Sequence, residues 1–331
     1  MSKADVVAAI LWTGITLYAV FGGADFGAGM WDLISGKGER GARASALIDH
    51  SIAPVWEANH VWLIFVFVVA WTGFPSAFAA VTSTLYVPLT LAVIGIVLRG
   101  SGFAFRHAIE GRLHDQATRV FGLSSVLTPF FLGTVVGAVA SGEVPAGGNG
   151  PPFSSWIGVL PLLTGALFVA SAAYIAAVFL VHDAQRAGDG ELREYFVRRA
   201  LAAGVIAGAF AVAGLFALHA DARYVYDRLV DQGLPLVILS GVCGTAAVYL
   251  LIRGVANWLL RPAAVGAVVA VVWGWFIAQY PFLIPGQLTI SGAAGAGASL
   301  TSILVVFGVA VVTVIPSLVF LYVLSQRDVL E

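Results

Sequence analysis

Nine long apolar runs, divided by short segments that hold nearly every charge, dominate the chain. They extend from Val6 to Ala28, Ile52 to Thr72, Ala77 to Leu98, Val120 to Ala140, Ile157 to Val181, Ala200 to Leu218, Pro235 to Ile252, Ala263 to Phe282 and Leu300 to Leu324. A hydrocarbon core about 30 Å thick takes about 20 residues at a helical rise of about 1.5 Å each, so runs of this length can cross it. Lipid admits only helices and closed barrels, and barrel strands alternate in segments of roughly ten residues, which these runs do not. The pattern therefore predicts an all-α integral membrane protein with nine transmembrane helices in one domain, residues 1 to 331. Gly- and Pro-rich stretches from Ser141 to Trp156 and from Pro285 to Ser299 predict irregular connections. The charged stretch from Val181 to Arg199 predicts a partly helical hinge between two halves.

Composition sharpens this picture. Of 331 residues, 60% are hydrophobic and 11% charged, against about 25% charged in a soluble domain. The net charge of -1 offers no basic patch for nucleic acid. One cysteine, Cys243, excludes an intrachain disulfide and a cysteine-built metal site. Lys3 ahead of an apolar run could suggest a secretory signal, but the run continues to Asp25 and Trp31 without a cleavage site, as a retained span does. Of the 17 Lys and Arg residues, 14 fall in the loops after spans one, three, five and seven and at the C-terminus. That asymmetry places the N-terminus outside and the C-terminus in the cytoplasm. Trp12, Trp31, Trp156 and Trp258 lie near span ends and read as an interfacial belt.

Ionisable residues inside spans are the candidates for chemistry, since each costs about 2.5 to 3.5 kcal/mol to insert. The predicted boundaries leave them only in the first two spans: Asp25 in AVFGGADFGAGMWDL, and Glu57 with His60 in APVWEANHVWLIF. Asp25 is either a buried functional acid or an acid bonded to backbone at a helix end loosened by Gly23 and Gly27. Glu57 and His60, three apart, share a helix face, with Trp56 and Asn59 on an adjoining one. A carboxylate at a helix N-terminus gains about 0.3 to 1 kcal/mol, less than insertion costs, so position alone does not account for Glu57. Arg99 and Arg106, just past span three, read as cytoplasmic anchors whose stems snorkel. Of the six histidines only His60 falls within a span, and a haem ligand also needs a wide apolar pocket. Intramembrane acids are equally usual in a secondary transporter or channel, though such a site sits near the midplane between interrupted helices. A purely structural membrane scaffold is the third reading.

The strings FGGADFGAGMWDL, APVWEANHVWLI (with Trp62) and LRGSGFAFRH resemble the three N-terminal signatures of subunit II of cytochrome bd-type quinol oxidases. The resemblance implies two four-helix bundles plus a peripheral helix. It implies a haem-free subunit in the bacterial cytoplasmic membrane, paired with a haem-bearing subunit I that carries haems b and d, and inactive alone. It also implies a proton path from the cytoplasm for reduction of oxygen to water with electrons from the quinone pool, to which Asp25 and Glu57, with His60, would contribute. Some members hold a structural quinone here or recruit a small accessory subunit. The family usually has an acid between the two Phe residues of the third motif, where this chain has Ala104.

Overall fold

Ser2 and Asp5 cap the first helix reciprocally: the Ser2 hydroxyl accepts from the Asp5 N–H, and the Asp5 carboxylate accepts from the Ser2 N–H at 2.7 Å. The two bonds satisfy donors that a helix start leaves open. From there α1 (Lys3–Leu17) passes through a π-helical turn, Tyr18–Gly22, into α2 (Gly23–Leu33), giving one helical span of 31 residues. The computed structural model describes residues 2–36, 38–52, 56–106, 111–254 and 258–326, and leaves side chains at 56–58, 315, 318–319 and 321–326 outside that description.

An amphipathic helix, α3 (Glu39–Ile52), follows and buries Ala44, Ile48 and Ile52. Helix α4 (Trp56–Gly73) then meets α5 (Pro75–Thr84) at a bend of 116°. Pro75 causes the break, because its ring drives the preceding Phe74 out of helical backbone, to φ -138° and ψ 59°. The third apolar run is divided further on, at Leu85, whose backbone leaves helical geometry (φ -103°, ψ 29°): residues 77–84 belong to the bent α5, and the long helix α6 starts only at Tyr86 and ends at Arg106 (Tyr86–Arg106). Long helices α7 (Arg112–Ala140), α8 (Val159–Arg186) and α9 (Gly190–Asp221) come next, then short α10 (Arg223–Asp231). Helices α11 (Leu234–Ile252) and α12 (Leu260–Gln279) lead to a small antiparallel hairpin, β1 (Phe282–Ile284) with β2 (Leu288–Thr289). One-turn α13 (Ile290–Ala293) and α14 (Gly297–Gln326) complete the described chain. Among the described residues, eight helices are long and apolar enough to cross a membrane, or up to nine if the bent α4–α5 pair is one span.

Two expectations need correction, whereas the partly helical character of the stretch from Val181 to Arg199 is met: α8 runs to Arg186, and Asp189 caps α9 by accepting from the Leu192 N–H at 3.0 Å. Only residues 187–189 break the helices, at Gly188 with φ +71°. The stretch from Pro285 to Ser299 contains part of the hairpin and a helical turn. Finally, Trp12, Trp31 and Trp156 are not an exposed belt. All three are buried, and the Nε1–H groups of Trp12 and Trp31 donate to the carbonyls of Val272 and Ala173 at 3.1 and 2.8 Å. These bonds join helices, because a buried indole N–H needs an acceptor. Trp258 is exposed.

Helix α8 forms the centre. Every residue from Ala172 to Val178 is buried, and the helix packs against α2, α7 and α9. Small side chains at Ala172, Ala173, Ala176 and Ala177 let those backbones approach, the usual way helices associate where lipid removes a hydrophobic drive between them. Helices α9, α11 and α14 instead leave most of their apolar residues exposed.

Candidate functional site

The first span delivers two carboxylates to one face. Asp25 and Asp32 are seven residues apart on α2, and both are buried. Seven residues make nearly two helical turns, so both point to the same neighbour. That neighbour is α6, which presents Arg99 and Arg106 at the same spacing. Arg99 forms a bidentate pair with Asp25, Nη1 to Oδ2 at 2.9 Å and Nη2 to Oδ1 at 2.7 Å, and Nη2 also donates to the Asp25 carbonyl at 3.1 Å. Its remaining Nε–H donates to Ser125 of α7 at 3.0 Å. One turn pair further on, Arg106 donates to Asp32 at 2.6 Å and pairs with Asp49 of α3, while Ser45 of α3 donates to Asp32.

Aromatic rings separate the two rungs from lipid and from each other. The Arg99 guanidinium lies 5.0 Å from the Phe26 ring centroid and 4.8 Å from that of Phe121; Arg106 lies 5.1 Å from Phe103 and 4.4 Å from the same Phe121. Side-chain exposure of Arg99 is 0%, so it is not a snorkelling anchor, and Arg106 at 3% is not one either. The anchor expectation fails because the required counter-charges were supplied from α2, 74 residues away in sequence. Nor does Asp25 rest on local backbone.

The second motif meets the first at this point. Asn59 of α4 is buried close to the Asp25 carboxylate, and half-buried His60 lies within electrostatic reach of Asp25 and Arg99. Trp56 and Glu57 open α4, but their side chains lie outside the described residues. Trp62 is partly buried, edge-on to Phe65 with ring centroids 6.4 Å apart. Gly27 is required by contact: a Cβ there would fall inside the Ala172 carbonyl group. Gly102 lets α6 close on α7, since its Cβ would sit 2.9 Å from the Phe121 nitrogen. Gly23 has room for a side chain, with Ala172 Cα 3.9 Å away. Ala104 is exposed, on a different side of α6 from the paired arginines.

Asp32, Asp49, Ser45, Ser125 and Phe121 were not singled out by sequence. The signal that could have found them is the matched spacing, seven residues from Asp25 to Asp32 and seven from Arg99 to Arg106. Equal increments in the same direction are what two parallel spans produce. Among the described residues no group of three His, Cys, Asp or Glu could hold a metal ion.

Long apolar helices around a buried Asp–Arg ladder define a multi-pass membrane protein with a polar node between its first spans. The chain belongs to the cytochrome bd terminal oxidase subunit II family, whose model matches residues 3–325. It is 20% identical to a putative cytochrome bd menaquinol oxidase subunit II of Bacillus subtilis, over 99% of this chain and 96% of that one. It is 24% identical to a cytochrome bd ubiquinol oxidase subunit 2 of the same organism, over 94% and 90%. A solved bd oxidase from Geobacillus thermodenitrificans superposes with a TM-score of 0.85 at 25% identity, covering 99% of this chain and all of that one. The chain is thus a component of a bacterial cytochrome bd-type quinol oxidase and works with a partner subunit I, and a transporter is not favoured.

Proposed function

We propose that this chain is the haem-free subunit of that oxidase and admits protons from the cytoplasm for oxygen reduction. The reading takes the bundle as nine spans, two four-helix groups plus a peripheral helix, with the N-terminus outside. The observation that carries it is the junction of the first two motifs, where Asn59 reaches Asp25 and His60 lies beside the same ion pair. Glu57 opens the same helix two residues before Asn59. Asp25 already shares both carboxylate oxygens with Arg99, so a proton taken up there would leave a buried guanidinium without its counter-charge. Glu57 is therefore the acid that holds and releases protons, and the Asp25–Arg99 pair is a fixed charge pair on the same route. The haems b and d of subunit I supply the redox chemistry, with electrons from quinol. His60, beside an ion pair, lacks the wide apolar surround that a haem ligand needs. A structural quinone and a small accessory subunit belong to the same reading.

Expression of this chain without subunit I is expected to yield a protein with no Soret absorbance, and co-expression a complex with b- and d-type bands. Stoichiometric haem on the lone chain would reject the assignment. Orientation has its own test, in a Cys243→Ser background with single cysteines introduced at Gly148 or Gly188. An impermeant thiol reagent applied to intact cells should label the first and spare the second. The opposite pattern would reverse the side from which protons enter.

A further inference from the structure

Buried Arg99 and Arg106 and half-buried Arg261 are matched with carboxylates: Arg99 with Asp25, Arg106 with Asp32 and Asp49, Arg261 with Asp183 at 2.5 Å. Two arginines at one end of the bundle, half-buried Arg199 and exposed Arg40, share an aromatic ring instead. The guanidinium of Arg199, on α9, lies 3.4 Å from the ring centroid of Tyr195, and that of Arg40, in the first turn of α3, lies 5.0 Å from the same centroid. Arg199 also sits 5.6 Å from the Trp31 ring of α2. Among the described residues, neither arginine pairs with a carboxylate. Acids at the start of α9 are engaged elsewhere: Asp189 and Glu191 by Arg43, and Glu194 by Arg198. Glu39, beside Arg40 in sequence, acts on Arg43, whose proton is held more tightly chiefly by its bond to Glu191. Nε of Arg199 is buried with no hydrogen-bond partner.

Two like charges on one ring repel, and a buried guanidinium N–H without an acceptor is costly. Both defects are removed by one anion with several acceptor oxygens. We propose that Arg40 and Arg199 hold the phosphodiester of an anionic phospholipid. Basic sites between membrane helices bind such headgroups. Three features select a lipid over a free anion. The pocket floor is aromatic, with Tyr195 and Trp31 each 7% exposed and their own polar hydrogens already given to the carbonyls of Ser35 and Ala173. The site lies where α9 passes from its charged start into its apolar span. Ala202 and Ile206, three and seven residues beyond Arg199 and on its side of the helix, are exposed and offer a track for an acyl chain.

The test uses the complex of both subunits, stripped of lipid and titrated in detergent with phosphatidylglycerol or phosphatidylcholine while bound lipid is counted by native mass spectrometry. Wild type should bind phosphatidylglycerol in preference to phosphatidylcholine. Arg40→Gln with Arg199→Gln should weaken phosphatidylglycerol about ten-fold and leave phosphatidylcholine unchanged, whereas Arg253→Gln, on an exposed arginine, should change neither. Equal binding of the two lipids by wild type, or an unaltered double variant, overturns the proposal. If the glutamine pair fails to assemble with subunit I, Arg40→Lys with Arg199→Lys decides. It should keep the preference, and loss of all discrimination despite retained charge would count against a charge-selected headgroup. Inorganic phosphate at millimolar concentration should not displace the lipid; displacement would identify a free-anion site and overturn the lipid assignment.

Discussion

Alanine at position 99 is expected to lower the stability of the assembled complex by about 3–5 kcal/mol, the largest loss of any single substitution considered. Removing one member of a buried ion pair leaves the other charge uncompensated, and that is the range such changes span. Here the stranded group is Asp25, which is 4% exposed and would lose both of its guanidinium hydrogen bonds. The loss of a guanidinium between Phe26 and Phe121 adds a cavity to the charge defect. Thermal dissociation of the purified complex, followed through its haem absorbance, measures the effect. Arg99→Lys should fall between, because an ammonium restores the charge and not the two parallel bonds to Asp25. Combining Arg99→Met with Asp25→Asn should recover a large part of the loss, since the double variant strands no charge. A single alanine variant within about 0.5 kcal/mol of wild type, the size of an ordinary surface change, would show that the pair does not hold these helices together.

The second large effect is on turnover. Glu57→Gln preserves size and hydrogen bonding and cannot ionise, so it should slow quinol-driven oxygen consumption about ten-fold or more, equivalent to about 1.4 kcal/mol on the barrier. Glu57→Asp should retain much of the rate. If Glu57 only complements a helix N-terminus, glutamine would cost about 1 kcal/mol of stability at most and leave the rate unchanged. Rates must be normalised to haem d in assembled complexes, which separates slow chemistry from poor assembly. Asp25→Asn gives the contrast. It should reduce the amount of complex, through Arg99, more than the rate per haem. Wild-type turnover in the Glu57→Gln, Asp25→Asn double variant would sink the relay.

How much of this was legible in sequence depends on which physics wrote it. Apolar run length reports membrane helices well, because a span must satisfy its own backbone. It reports their breaks poorly: the run from Ala77 to Leu98 reads as continuous, yet a break at Leu85 leaves its first part in a separate helix. The stretch from Val181 to Arg199 reads as partly helical, and what sequence leaves open is how short its break is: a capping Asp189 and a glycine at 188 suffice to reverse the chain in three residues. At the site, burial cost correctly singled out Asp25. The same argument failed for Arg99, since an arginine at the end of an apolar run can extend its head to water or fold it inward, and hydropathy is identical for both. Which happens depends on a partner in another span. Asn59 was assigned to a face beside Glu57 and instead reaches Asp25, a tertiary contact that helix periodicity alone does not contain.

The twin rungs behave as a key with two teeth. Seven residues advance a helix by about 10.5 Å, and one inserted residue turns everything beyond it by about 100°. An insertion between Asp25 and Asp32 would therefore leave the first tooth seated and swing the second out of the lock, with the same result between Arg99 and Arg106. Substitution within the intervals is limited by packing, at Gly27 and Gly102 above all, whereas a change in length costs a buried charge its mate. In descent, these two short intervals should be places where gaps are not tolerated, even as overall identity falls to the 20–28% seen with distant relatives.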